Sequence, residues 1–425
     1  MSLRQPDRRR FDVRRRLTGL SVYYGWIIVG ACFLIGMITW GTIWSFGVFF
    51  GYIIEEFGLS RANTSIIFSI QSIVSYTGAA LLGFWIDRYG ARRLLLVSTV
   101  LVVGGLFGVS TLPSFLGVTV SYGIVTALGL GIAYVVSYVA PVRWFDRRRG
   151  LATGIATAGA GAGIVLVPPI AEWSIDLVGW RSAYTGLTLG FFLIYAFATI
   201  VFADRPRDLD LDASAEFESD VGGVDPGFEG WRSKIGTLTE VVRSREFVLV
   251  FLAYICLSAA AMTLLVNVVE YTTIAEIGRS TGVAAISVLG AMNVVGKFVG
   301  GPAVDRIGTT RTIAGSGVFL AGGLSIMVLA NTSVAVVVAA VVFGFGWGIW
   351  SGFLAPLLAD LFGTVDINAL FGLVAVAFAF SGSLAPYLAG LSVDRVGTYE
   401  PAFVGAGLIA LLGTVSVLTL GRSTS

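Results

Sequence analysis

Two short stretches, GFWIDRYGARR from Gly83 to Arg93 and GPAVDRIGTTR from Gly301 to Arg311, decide how the chain folds. Each is a polar break between long apolar runs, and each carries Asp-Arg followed by Gly at the same spacing. A numbering offset of 218 relates Asp87 to Asp305, Arg88 to Arg306 and Gly90 to Gly308. The same offset carries Gly154 onto Gly372, Pro168 onto Pro386, Asp176 onto Asp394 and Gly179 onto Gly397. Gly129, Gly131 and Pro141 match Gly344, Gly346 and Pro356 at an offset of 215. Repetition on this scale is the mark of a fold built twice from one unit.

Outward from these breaks the chain is overwhelmingly apolar. Of its 425 residues, 56% are hydrophobic and 13% charged, and the mean hydropathy is +0.86. Soluble domains carry about 25% charged residues, so water is not the main solvent of this chain. A bilayer crossing takes about 20 apolar residues, and twelve such runs are predicted. The first six lie near 22–50, 62–86, 93–112, 115–140, 150–173 and 181–202. The second six lie near 246–270, 282–304, 311–330, 333–358, 368–391 and 400–420. The expectation is an all-α integral membrane protein: a basic tail (1–21), a six-helix bundle (22–202), a linker (203–245), a second bundle (246–420) and a short tail (421–425). The 55 glycines fit membrane helices, which pack backbone against backbone. The first run is too long for a signal-peptide core and no small-residue cleavage pattern follows it, so the N-terminus is expected to be retained.

Lys and Arg concentrate on the cytoplasmic side of membrane proteins. With the N-terminus placed inside, 23 of the 28 basic residues fall in predicted inside segments, and Arg61, Arg181, Arg279 and Arg395 fall outside. Both termini are therefore expected in the cytoplasm of a cell (plasma or inner) membrane. Topology and lipid headgroups account for the basic residues, and nucleic acid is not an expected partner. The linker has an acidic part, DRPRDLDLDASAEFESDVGGVDPGFEG from Asp204. A second part places Trp231, Ile235, Leu238 and Val242 on one helical face that suits a membrane surface.

The Gly83 and Gly301 stretches resemble the loop signature of the major facilitator superfamily. The resemblance covers the whole chain and implies a major facilitator fold of twelve transmembrane helices in two six-helix pseudo-repeats. A narrower likeness sits at RWFDRRRGLATGIATAGAGAG, Arg143 to Gly163, and at YYGW, Tyr23 to Trp26, followed by Gly30, Ala31 and Gly36. These segments are similar to the monocarboxylate transporter pattern and to the related oxalate/formate branch, which implies a small carboxylate as substrate. Asp87 at a helix end can pair with Arg92 or with a neighbouring helix terminus. Such pairs, with Arg88, Asp305, Arg306 and Arg311, would latch a cytoplasmic gate.

One basic side chain, Lys297, lies well inside a predicted helix, within NVVGKFVGGPAVDRIG. A central charge costs roughly 2.5–3.5 kcal/mol on insertion scales, so it demands a partner. A substrate carboxylate would serve; the alternatives are an inward snorkel or pairing with Asp305 or Glu270. The resemblance places a polar or acidic residue at Asn293 and a cation, usually Arg, at Lys297, one turn apart on a shared face. Lys lacks the bidentate geometry of Arg, and Asn293 takes no proton where proton-coupled relatives often have Asp. Depth alone adds Trp40, Gln71, Tyr134 and Trp347 or Trp350 as residues that either line a substrate path or pack. Glu172 and Glu270 sit near outer helix ends, where Glu270 could gate or carry a proton. Pro168 and Pro169, after the glycines from Gly159 to Gly163, allow the fifth helix to bend.

The sequence therefore predicts a transporter of a small organic anion, with protons as a candidate co-substrate, membrane lipids as its surroundings, and proton symport or anion exchange as its mode. The alternative is a drug or sugar transporter; an exporter of lipophilic cations would more naturally bury an acid than a lysine. With no histidine there is no His triad or His metal site, and no Cys cluster or phosphate loop marks an enzyme or a cofactor. Cys32 and Cys256 fall in different halves and are not expected to pair.

Overall fold

The computed structural model describes residues 23–58, 61–145, 147–204, 239–364 and 366–420, apart from the side chains of 61–65, 383 and 394. The expected tails and most of the linker, with Trp231, Ile235 and Leu238, lie outside the described residues. Among the described residues every regular element is helical, and twelve helices are long and apolar enough to cross a membrane.

The first six are α1 (Gly25–Phe57), α2 (Arg61–Tyr89), α3 (Ala91–Thr111), α4 (Phe115–Trp144), α5 (Arg149–Val178) and α6 (Trp180–Val201). The second six are α7 (Arg245–Ile274), α8 (Arg279–Ile307), α9 (Thr309–Val328), α10 (Ser333–Gly352, continued by Leu354–Phe362), α11 (Ile367–Val396) and α12 (Glu400–Leu420). The offset of 218 carries the first residue of α2, α3, α4 and α5 onto the first residue of α8, α9, α10 and α11. Twelve alternating crossings put Tyr23 and Leu420 on one face, where the breaks at Gly90, 145–148, Gly308 and 363–366 also lie; this is the basic face. The outside of the bundle presents Leu116, Leu189, Val334, Leu412 and many other exposed apolar side chains. In water such a surface would aggregate; in lipid it is matched to its solvent.

Two details differ from the sequence reading. The predicted tenth run stops at 358, whereas α10 breaks at Phe353 and resumes to Phe362. The glycine register also changes. Gly129 sits against Ser98 and Val102 of α3, whereas the glycine against Ser316 and Leu320 of α9 is Gly346, not Gly344. Gly131 lies against Ser75 as Gly348 lies against Asn293. The matching offset within these helices is thus 217 rather than 215. The cause is a π-helical stretch, Ser121–Thr126, in α4. A π turn accommodates one extra residue, so α4 gains one residue on α10 and the register drops by one.

The two halves secure their outer ends differently at equivalent positions. In the first, Arg181 donates to the carbonyls of Val109, Ser110 and Leu112 at the end of α3 and is held by Glu56 at 2.7 Å, while its guanidinium covers Trp180. In the second, the Tyr271 hydroxyl reaches the carbonyls of Met327 and Ala330, the repeat counterparts of Val109 and Leu112.

The halves meet along two seams, α2 with α11 and α5 with α8. Gly83 abuts the backbone of Asn368 and Ala369, and its repeat partner Gly301 abuts Gly150 and Leu151, which are themselves the repeat partners of 368 and 369. A first side-chain carbon on Gly301 would stand 2.8 Å from the Gly150 carbonyl oxygen, with backbone behind it that cannot yield. Gly301→Val is therefore expected to lower the melting temperature of the purified protein by a few degrees, consistent with about 1–3 kcal/mol for overpacking. Gly315→Val, placed where nothing lies within 4 Å, should leave it unchanged. Equal melting temperatures for the two variants would refute backbone-to-backbone contact at this seam.

Candidate functional site

Lys297 is 2% exposed and Asn293 1%, although both are polar. Ten residues from the end of α8, the lysine stands about 15 Å in from the basic face, near the middle of a bilayer core. It is admitted by glycines. Gly348 of α10 lies against the Asn293 backbone, and at Gly352 a side-chain carbon would come within 3.2 Å of Lys297 Cγ and 3.1 Å of Thr157 Oγ1. Lysine stem, α10 glycine and α5 threonine therefore converge at one point.

The Lys297 ammonium donates to the backbone carbonyl of Thr157 at 3.0 Å. Among the described residues no carboxylate lies within ion-pair distance of it. Glu270 is exposed at its own helix end, and Asp305 is engaged at the basic end of α5. A neutral carbonyl is a weak partner for a buried cation, whose desolvation is fully offset only by an anion. Asn293 donates to Ser351 Oγ at 3.4 Å and turns Oδ1 towards Gly161 of α5.

The other seam, at similar depth, is aromatic. Tyr76 of α2 stacks on Phe378 of α11 with centroids 5.6 Å apart and planes at 13°, and Phe378 stacks in turn on Trp350 of α10. Tyr254 of α7 meets Trp350 edge-on and donates its hydroxyl proton to the Trp350 carbonyl. On the first half Trp40, Tyr134 and Tyr138 continue the cluster, and both tyrosines touch Phe371 across the seam. The indole N–H of Trp350 has no acceptor, which is costly for a buried donor.

Nearer the basic face each seam is fastened by a carboxylate. Asp87 accepts from the Asn368 side chain at 2.7 Å and from the Ala369 backbone N–H at 3.0 Å, in the first turn of α11. Asp305 accepts from the backbone N–H groups of Gly150 and Leu151, at 2.7 and 3.0 Å, in the first turn of α5. Each aspartate thus satisfies otherwise unpaired donors of a helix in the opposite half, where the helix dipole favours an anion. Arg143 of α4 pairs with Asp87 at 2.5 Å, and Arg149 of α5 bridges to Asp360 of α10 in the opposite half at 3.0 Å.

Of the residues singled out in the sequence, Lys297 and Asn293 come together on the α5–α8 seam, and Trp40, Tyr134 and Trp350 in the aromatic cluster. Trp347 is buried on α10. Gln71 is buried farther out, about 27 Å from the basic end of α2, bonded to Ser75 with its carbonyl oxygen unpartnered. Asp87 takes a neighbouring helix terminus and Arg143 rather than Arg92, whose own backbone N–H and guanidinium turn to Asp204 and the Thr199 carbonyl. Arg88 covers the Tyr89 ring, and Arg306 and Arg311 are exposed. Glu172 is exposed, α5 continues through Pro168 and Pro169, and both cysteines are free thiols. Sequence reasoning missed Thr157, Tyr76, Phe378, Asn368, Arg149 and Asp360. The repeat offered a signal for one of them: Asn368 is the counterpart of Gly150, at the start of the repeated helix.

The family model described as Major Facilitator Superfamily matches residues 32–385. Monocarboxylate transporter 4 of Rattus norvegicus is 24% identical over 403 residues, spanning 94% of this chain and 83% of that protein. Monocarboxylate transporter 13 of Rattus norvegicus is 26% identical over 402 residues, 93% of this chain and 89% of its own length. The fold is also that of the proton:xylose symporter XylE bound to 6-bromo-6-deoxy-D-glucose (TM-score 0.74, 13% identity, 93% and 95% coverage). FucP in the outward conformation matches with a TM-score of 0.69 at 13% identity, covering 94% of this chain and 99% of that one.

The capping geometry predicts the effect of Asp305→Asn. With Cys32 and Cys256 replaced by alanine, Thr153→Cys reports on the seam, because Thr153 is fully buried on α5. Its thiol should be labelled several-fold faster from the basic face once Asp305 is neutralised. An unchanged rate would show that the carboxylate does not hold the seam closed.

Proposed function

The chain belongs to the Major Facilitator Superfamily and is monocarboxylate transporter-like, and from that premise we propose that it carries a small organic anion, most simply a monocarboxylate, by alternating access across the cell membrane. The observation that carries the anion is Lys297: a buried cation at mid-depth between the halves, held by one neutral carbonyl. The relatives named as monocarboxylate transporters support the same class of substrate.

In this reading the Thr157 carbonyl occupies the place at the ammonium that a substrate carboxylate takes in turn. Asn293 and Ser351 lie one turn away and offer further hydrogen bonds. Trp40 and Tyr134, backed by the buried Trp350, face the organic part of the substrate from the other seam, and Gln71 stands on the outer approach. Asp87 and Asp305, with Arg143 and Arg149, form the gate on the basic face, which the distribution of Lys and Arg assigns to the cytoplasm. Arg88, Arg92, Arg306 and Arg311 act there as interfacial charge and helix anchors. Glu270, exposed on the outer side, is a gate or proton residue only where a coupled proton enters. The state described is closed at the basic face.

Lys297 also separates the two coupling modes. Exchange keeps the ammonium charged and neutralised by an anion on both strokes. Symport needs a group that releases a proton, and in this seam that group would be the ammonium itself, since Asn293 has no proton to exchange.

The test is uptake of labelled lactate, pyruvate, acetate, formate and oxalate into proteoliposomes, for native protein and Lys297→Gln, with and without a pH gradient. Saturable uptake at least ten times slower in Lys297→Gln is expected, with Lys297→Arg retaining part of it. Acceleration by an inward proton gradient would assign symport; acceleration only by anion loaded on the far side would assign exchange. Native rates in Lys297→Gln, or no uptake of any acid, would refute the proposal.

A further inference from the structure

The two seams are related by the repeat, so every difference between them at equivalent positions marks where symmetry has been given up. Two differences dominate. At the repeat offset, Lys297 and Thr157 on the α5–α8 seam correspond to Ala79 and Ala375 on the α2–α11 seam. Tyr76 and Phe378 on the α2–α11 seam correspond to Val294 and Ala160 on the other. One seam has thus become cationic where its counterpart is methyl-lined, and the other has become aromatic where its counterpart is small and aliphatic.

The two departures lie within about one helical turn of each other in depth. Thr157 and Lys297 stand about 12–15 Å from the basic ends of their helices and Tyr76 and Phe378 about 17–20 Å, at 1.5 Å per residue. The rings are also graded in exposure. Trp40 and Tyr76 are partly exposed, and Tyr134 and Phe378 retain 6% each, whereas Phe371, Trp350 and Tyr254 are at 0–1%. The first four are thus the less deeply buried layer of the cluster, resting on a second, sealed layer of rings. When the seam parts, Phe378 loses the face of Tyr76, and a planar apolar group of the cargo can take its place by offset stacking. A two- or three-carbon acid satisfies the lysine and leaves the separated rings facing water.

We propose that the preferred cargo is a carboxylate with a flat apolar body, an arylcarboxylate in the simplest case, its carboxylate on Lys297 at one seam and its ring on Tyr76 and Phe378 at the other. This rests on the carboxylate reading of Lys297 given above and adds the chemistry of the other end of the molecule.

The experiment is equilibrium binding of acetate, lactate, benzoate, phenylacetate and benzyl alcohol to the purified full-length protein, by calorimetry or thermal shift. Native protein is expected to bind benzoate or phenylacetate about tenfold more tightly than acetate or lactate, the scale of one aromatic contact, with benzyl alcohol weakest. Phe378→Leu, which keeps an apolar side chain in place, should erase the preference while leaving acetate affinity unchanged. Lys297→Gln should weaken every acid and leave benzyl alcohol unaffected. Equal binding of short and aryl acids, with both still dependent on Lys297, would overturn the aromatic proposal and leave the carboxylate reading standing. A preference for aryl acids that persists in Phe378→Leu would also overturn it. Native affinities in Lys297→Gln would overturn the carboxylate reading itself, and benzyl alcohol binding as tightly as phenylacetate would overturn the joint recognition of ring and charge.

Discussion

A carboxylate from each half resting on the first-turn N–H groups of a helix in the other half is the contact on which the closed arrangement depends. Asp87 reaches the start of α11 and Asp305 the start of α5. Asp305 meets only backbone donors, which every helix start leaves unpaired, and Asp87 adds the Asn368 side chain to one such backbone donor. Interactions of this kind are worth typically about 0.3–1 kcal/mol where exposed and about 2 kcal/mol in partly buried geometries. Two of them, with the bridge from Arg149 to Asp360 on the rim, hold the halves together without making the union permanent.

The glycines beside those carboxylates make the same compromise in packing. At Gly83 and Gly301 the opposing backbones touch, so the seam seals with almost no side-chain volume. Two smooth backbones separate without any rotamer having to leave its well, and they rejoin in register because the aspartate–helix contact fixes the approach. Close backbone approach also brings the dispersion contacts that membrane helices rely on in place of a hydrophobic drive.

Much of this was legible in the sequence, for identifiable reasons. Twelve runs, the offset of 218 and the paired Asp-Arg breaks follow from composition and spacing, and bilayer thickness admits few other readings. Lys297 was legible because a single charge within an apolar run has no structural excuse. The partners were not, since Thr157 contributes a backbone carbonyl and backbone groups have no signature in the residue letters. The register was misjudged at Gly344 because a π turn in α4 leaves no compositional trace, and a shift of one residue only becomes visible once Gly129 and Gly346 are seen against equivalent neighbours. Tyr76 and Phe378 were invisible for another reason. In a chain with 29 phenylalanines and 14 tyrosines, a ring stands out only when each is compared with its counterpart at the offset of 218, here Val294 and Ala160, and the stacking of the two rings on each other leaves no mark in the residue letters.

That last point bears on how a duplicated fold acquires a function. Perfect repetition would give two identical seams and a central space with no preferred end for a polar molecule. The lysine is accommodated by a glycine of a neighbouring helix, Gly352 beside its stem, and the two rings are accommodated by stacking on each other. The same two changes give the space a direction, cation at one seam and aromatic surface at the other. The contacts that fasten the seams, by contrast, stay nearly symmetric: Asp87 and Asp305, Gly83 and Gly301, Gly154 and Gly372 keep equivalent partners in both halves. Motion is served by what the repeats share, because both seams must open and close by one rocking movement. In the proposed reading, recognition is served by what they do not share, because only an asymmetric space can tell one end of a small molecule from the other.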